Sequence, residues 1–220
     1  MHSTLKQLDF IIQKLNNIIA KKQLKTKPKI IVVTKTFPLT NILPLLDNGH
    51  IHYGENKIQE AELKWTEAKK KYKNLQLHML GKLQTNKVKY VIQLFDYLHS
   101  LDNIKLAEKI SIEQKKKNKK LKIFIQVNIG NEEQKNGIEI SQIENFYEKC
   151  INDLELNIVG LMCLPPNNEK SSLYFSKMNE LKKKLNLSEL SMGMSKDYID
   201  AIKNNSTFLR IGSKIFGKRN

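Results

Sequence analysis

Lys35 has the least ordinary setting of any reactive side chain in this 220-residue sequence. It follows Ile30-Ile31-Val32-Val33-Thr34. Four consecutive β-branched apolar residues predict a strand buried on both faces, as in a parallel sheet. An ammonium group at the end of such a strand is poorly hydrated, and desolvation favours the neutral amine. A neutral lysine amine is a nucleophile that attacks carbonyls to give a Schiff base. The competing reading is a lysine that caps the strand and reaches solvent. A second signal lies far along the chain, in Ser191-Met192-Gly193-Met194-Ser195 and in Arg210-Ile211-Gly212-Ser213. Both are Gly/Ser turns after short apolar runs, a setting in which backbone N–H groups can converge on an anion. An ordinary strand-to-helix turn with Ser195 as N-cap is the alternative there. Arg210 sits between Leu209 and Ile211 in a strand pattern, which favours an interior role over a surface salt bridge.

The elements that must position these residues alternate. Apolar runs predict strands over 30–33, 51–53, 75–80, 97–101, 121–127, 158–162, 189–192 and 208–211. Helical periodicity fills the intervals, over 39–47, 57–72, 88–95, 104–117, 141–151, 170–185 and 195–202, with one more helix over 4–22 in front. Ser141, with Glu144 three residues on, reads as a capping box. Strands recur about every 20 to 35 residues, the size of a βα repeat. Eight such units predict a single (β/α)8 TIM-type barrel with an extra N-terminal helix, one domain over 1–220. The rival doubly wound sheet lacks its Gly-rich dinucleotide turn after the first strand. In a barrel the carboxyl ends of the strands share one face, and chemistry sits there. That face would collect Lys35, Asn56, Gly81, Asp102, Asn128, Met162, Ser191, Ser195, Arg210, Gly212 and Ser213. A Schiff-base lysine facing phosphate-binding turns after strands seven and eight is the outline of a pyridoxal-phosphate site.

The bulk numbers narrow the alternatives. A net charge of +16 invites a nucleic-acid reading. Nearly all of that charge is lysine spread over every predicted helix, however, and the arginines are Arg210 and Arg219 alone. Phosphate and base readers favour the planar arginine fork, so no nucleic-acid partner is expected. No stretch approaches the roughly 20 apolar residues of a membrane span. Residues 1–22 lack the pattern of a signal peptide. Cys150 and Cys163 match no metal or redox spacing, so no metal is expected, and a reducing cytoplasm suits them.

Nine ordered motifs resemble one family. They are Val33-Thr34-Lys35-Thr36, Tyr53-Gly54-Glu55-Asn56 with Gln59-Glu60, His78, Gly81-Lys82-Leu83-Gln84 with Asn86-Lys87, and Gln126-Val127-Asn128. Lys135-Asn136-Gly137-Ile138, Gly160-Leu161-Met162, Leu190-Ser191-Met192-Gly193-Met194-Ser195 and Arg210-Ile211-Gly212-Ser213 with Ile215-Phe216-Gly217 complete them. The pattern resembles the pyridoxal phosphate homeostasis proteins, which are related to the N-terminal barrel of alanine racemase. Thr34 stands where that family more often has serine. The resemblance implies pyridoxal 5′-phosphate held covalently by Lys35, with Asn56 beside the ring. It implies a phosphate held by Ser191, Gly212 and Ser213, a pocket shaped by Met192 and Met194, and Arg210 at the pyridine nitrogen. It further implies a cofactor carrier and not an enzyme, with pyridoxal-phosphate-dependent apo-enzymes as recipients; a monomer is expected. The enzyme alternative is a small pyridoxal-phosphate-dependent racemase or lyase. The sequence runs about ten residues past Arg210, so no second domain with a catalytic tyrosine is expected.

Overall fold

The computed structural model of the chain describes residues 2–217 apart from 133, 135 and 168. The β-branched run forms strand β1 (Lys29–Val33). It is followed by β2 (His52–Glu55), β3 (Gln76–Met79), β4 (Tyr97–Leu101), β5 (Lys122–Val127), β6 (Ile158–Cys163), β7 (Glu189–Met194) and β8 (Phe208–Ile211). Each strand pairs in parallel with the next, and β8 returns to β1 to close the barrel. Helix α1 (Ser3–Lys22) precedes the barrel. The crossovers carry α2 (Leu39–Asp47), α3 (Ile58–Lys71), α4 (Val88–Leu94), α5 (Ile104–Lys117), α6 (Ile143–Glu148), α7 (Ser171–Lys184) and α8 (Tyr198–Lys203), and α9 (Ser213–Phe216) follows β8. The (β/α)8 barrel with a leading helix is therefore the observed architecture.

The two-residue period of a strand sorts these side chains into two cores. In β1, Ile31 faces the barrel interior and packs with Tyr97, Phe124, Met162 and Phe208. Its neighbours Ile30 and Val32 face the other way, into the layer between barrel and helices. Trp65, Phe95 and Phe175 are fully buried in that outer layer. Strands covered on both faces read as continuous apolar runs, which is why β1 and β5 stand out in the sequence. Helix α1 buries Leu8, Ile11 and Leu15 along one stripe and packs against α2 and α9.

Two helix starts differ from expectation. Ser141 lies inside a 3₁₀ turn (Ile140–Gln142) ahead of α6, and its hydroxyl reaches only its neighbour Glu139 at 3.5 Å. The turn begins one residue before the serine, so Ser141 is already helical and cannot act as cap. Likewise β7 runs on to Met194 and α8 starts at Tyr198. Asp197 Oδ1 accepts the Met194 N–H at 2.6 Å and pins the intervening turn, and Ser195 is left free for another partner.

Candidate functional site

Lys35 lies two residues beyond the end of β1, in the turn at the carboxyl end of the strand. It is half-buried. The residues on either side of it are tied down. Thr34 is fully buried and continues the ladder, its N–H donating to Gly54 O at 2.9 Å. Its hydroxyl donates to Glu55 Oε1 at 2.6 Å, and its carbonyl accepts from Lys64 Nζ at 2.9 Å. Lys64 also donates to Glu55 Oε1 at 2.8 Å and to Glu60 Oε1 at 3.0 Å. Trp65 Nε1 donates to the same Glu55 oxygen at 2.9 Å. On the far side, the Thr36 N–H donates to Glu60 Oε1 at 2.5 Å. Thr36 has φ 71°, a left-handed conformation that strains a β-branched residue. Buried Glu55 and Lys64, with part-exposed Glu60, therefore clamp the backbone on both sides of Lys35. Lys64 was hidden in the sequence among many solvated lysines. Its signal was position: three residues after Ala61 and four before Ala68, it falls on the buried stripe of α3.

On the neighbouring strand β8, Arg210 pairs in register with Ile31 and is buried. Its Nη1 donates to Ser191 O at 2.6 Å and to Ser191 Oγ at 2.8 Å, and its Nη2 donates to Cys163 O at 2.8 Å. All these acceptors are uncharged, and desolvation pulls the guanidinium pKa down. Ser191 is fully buried, and its hydroxyl also meets His99 Nδ1 at 2.9 Å. The Ser191 side chain thus serves the barrel interior. Met192 is fully buried in the outer layer with Leu190, Tyr198 and Ala201, so its side chain points away from the mouth, and Met194 is part-exposed. The turns after β7 and β8 do meet. Ser195 Oγ accepts the Lys214 N–H at 3.4 Å, next to Gly212 and Ser213. A Cβ added at Gly212 would lie 3.3 Å from Val33 O, so glycine lets this turn press against the end of β1. The Phe37 and Phe216 rings stack at 4.5 Å and join the segment after Lys35 to α9.

The remaining motifs complete the rim. Asn56 follows β2 with the same inward parity as His52 and Gly54, and is half-buried. Gly81 packs onto it so closely that a Cβ would fall 2.2 Å from Asn56 O. The segment around Asn136 folds back on β5: Ile138 N–H donates to Gln126 O at 2.8 Å and Asn128 N–H to Ile138 O at 2.9 Å. Lys82 Nζ and Gln126 Nε2 both hold Asn136, at 2.6 and 2.9 Å. Lys135 of that motif lies outside the described residues. Among the described residues no group of His, Cys, Asp and Glu is arranged to hold a metal, and no helix is long and apolar enough to cross a membrane. The arrangement suits a small anionic ligand with an electrophilic carbon: a half-buried lysine just past β1, a buried cation with no carboxylate partner among the described residues, and a glycine turn pressed on the end of β1.

Residues 8–220 match the family described as alanine racemase, N-terminal domain. A pyridoxal phosphate homeostasis protein of Aquifex aeolicus is 38% identical over 200 residues, 87% of each chain. This chain belongs to the pyridoxal phosphate homeostasis protein family. A human family member is 35% identical over 216 residues, covering 88% of this chain and 77% of its own. The structure of PipY from Synechococcus elongatus PCC7942, with PLP bound, superposes with a TM-score of 0.79 at 29% identity, covering 92% of this chain and 100% of that one. Alanine racemase of Clostridium difficile 630 shares the fold at 16% identity and a TM-score of 0.70, with 93% of this chain matched to 55% of that one.

Proposed function

We propose that this chain binds pyridoxal 5′-phosphate at the carboxyl face of the barrel through a covalent link to Lys35, and acts as a cofactor carrier in intracellular pyridoxal phosphate homeostasis. One observation carries the reading. The position of Lys35 just past β1, the register of Arg210 beside β1, and the Gly212–Ser213 turn against Val33 support a common mouth for the three expected contacts of one ligand. When bound, the cofactor supplies an aldehyde carbon and an electron-withdrawing ring. Lys35 provides the amine. Backbone N–H groups at Gly212 and Ser213 receive the phosphate, helped by the Ser191–Met192 segment through its main chain. Asn56 lines the ring. Names of the relatives and the PLP-bound PipY structure support the same ligand.

Arg210 also bears on activity. A guanidinium only donates hydrogen bonds and stays charged at working pH, so it keeps a facing ring nitrogen unprotonated. An unprotonated ring withdraws electrons weakly and supports carbanion chemistry poorly, which favours a carrier over a racemase or lyase. Apo-enzymes are the proposed recipients, the monomer the working unit, and the cytoplasm the compartment. The free, buried Cys150 and Cys163 suit a reducing environment.

Borohydride reduction of the loaded protein followed by peptide mapping is the test. The pyridoxyl label is expected on Lys35 alone, and Lys35→Ala should remove the visible absorption band while circular dichroism stays unchanged. A label scattered over Lys82, Lys87 and residues 115–120 overturns the site. Turnover of amino acids at roughly 1–10³ s⁻¹ overturns the carrier reading in favour of a racemase or lyase.

A further inference from the structure

Three histidines on three successive strands meet inside the barrel. His52 Nδ1 lies 3.0 Å from His78 Nε2, and His78 Nδ1 lies 2.9 Å from His99 Nε2. His99 Nδ1 lies 2.9 Å from Ser191 Oγ, which accepts from Arg210 Nη1. His78 and His99 are fully buried, and His52 reaches the amino-terminal end of the barrel half-buried. The rings are fixed by packing: His78 stacks on Tyr97 at 4.2 Å, and His99 stacks on Phe124 at 4.3 Å. We propose that Ser191, His99, His78 and His52 form one polarised hydrogen-bond chain, each imidazole carrying its proton on Nε2, and that this chain positions Arg210 at the mouth. The positioning half of the proposal rests on the cofactor reading of that mouth, whereas the polarity half does not.

The direction follows from one proton. Arginine cannot accept a hydrogen bond, so its contact uses a lone pair of Ser191 Oγ. The hydroxyl hydrogen must go elsewhere, and in a fully buried setting an unmade bond costs about 1–3 kcal/mol. His99 Nδ1 is the acceptor in reach. An Nδ1 that accepts is unprotonated, so the neutral His99 ring carries hydrogen on Nε2 and donates to His78 Nδ1. The same logic passes to His78, which donates from Nε2 to His52 Nδ1, and leaves His52 Nε2–H at the open end. Burial and the nearby cations keep the rings neutral: desolvation and Arg210 lower His99, desolvation and the neighbouring histidines lower His78, and His52 is lowered to about 4. Every imidazole then turns its negative nitrogen toward Arg210. Aligned dipoles of this sense stabilise a buried cation as a helix C-terminus does. With Ser191 and Cys163 holding one edge of the guanidinium, its remaining N–H groups are aimed by the chain and not by a carboxylate.

Long-range ¹H–¹⁵N correlation spectra of the cofactor-free protein read the tautomers directly. All three rings are expected in the Nε2–H form at neutral pH, and an Nδ1–H or doubly protonated ring in any of them overturns the chain. In Ser191→Ala, His99 loses its donor and should no longer hold that form exclusively; an unchanged spectrum overturns the role of Ser191 in setting the direction. For positioning, His99→Leu and His99→Asn are compared, since both are uncharged and only the Asn oxygen can still accept from Ser191. Pyridoxal 5′-phosphate affinity should fall about tenfold or more in His99→Leu and stay within about threefold in His99→Asn. Equal losses overturn positioning and leave a packing role. Should His99→Leu not fold, His78→Asn against His78→Leu replaces it with the same expectation. Failure of the cofactor reading shows separately, as loss of the Lys35 label with all tautomers intact.

Discussion

Among the described residues two cations are buried, Lys64 and Arg210, and they are handled in opposite ways. Lys64 sits between the barrel and α3, where Glu55 and Glu60 neutralise it. Arg210 sits inside the barrel with two carbonyls, a hydroxyl and a line of neutral imidazoles, and with no hydrogen-bonded carboxylate. A charge that is paired in place cannot serve a ligand, because its field is cancelled within a few ångströms. A charge held by dipoles keeps its field and can be completed by an anionic or electron-rich ligand. The first cation is therefore structural: it fixes the backbone around Lys35. The second is assigned to the proposed ligand site.

This contrast can be broken by experiment. The largest effect is expected for Lys64→Met, which strands the fully buried Glu55 without its counter-charge. Urea unfolding should show a loss of about 3–5 kcal/mol, and the double variant Lys64→Met/Glu55→Leu should recover much of it. Arg210→Met should do the reverse. It leaves no unpaired charge, so stability should shift by no more than about 2 kcal/mol, while pyridoxal 5′-phosphate affinity measured by spectroscopic titration falls tenfold or more. A smaller, shared signature is expected from acid. The folded-state pKa values of His52, His78 and His99 are all depressed, with His52 at about 4. Between the unfolded value near 6.5 and those depressed values the unfolded chain binds more protons, so stability falls as pH falls. The slope approaches about 1.4 kcal/mol per pH unit for each histidine. Denaturation midpoints between pH 7 and 4 test this, and replacing His52 by Asn should flatten the profile. The smallest effect is expected for Lys70→Ala: its pair with Glu67 is mostly exposed, with side chains 68% and 79% accessible, and unfolding should move by less than about 1 kcal/mol.

The barrel was legible in the sequence because its signals are local. Run length and β-branching marked β1 and β5, and helical spacing marked α1 and α5. The order of alternation then fixed the closed parallel topology. The unusual setting of Lys35 stood out for the same reason, since it is visible within five residues. What only the tertiary structure decided is which side chains share an interior. His52, His78 and His99 are 26 and 21 residues apart on different strands, and of the three the sequence singled out His78 alone, as one motif among nine. Ser191 read as part of a phosphate-binding turn, and only the closed barrel shows its hydroxyl meeting Arg210 and His99. Lys64 read as one solvated lysine among dozens until α3 docked against β2. In each case the deciding quantity is desolvation together with the partner supplied by a distant strand or helix, and neither exists until the barrel closes.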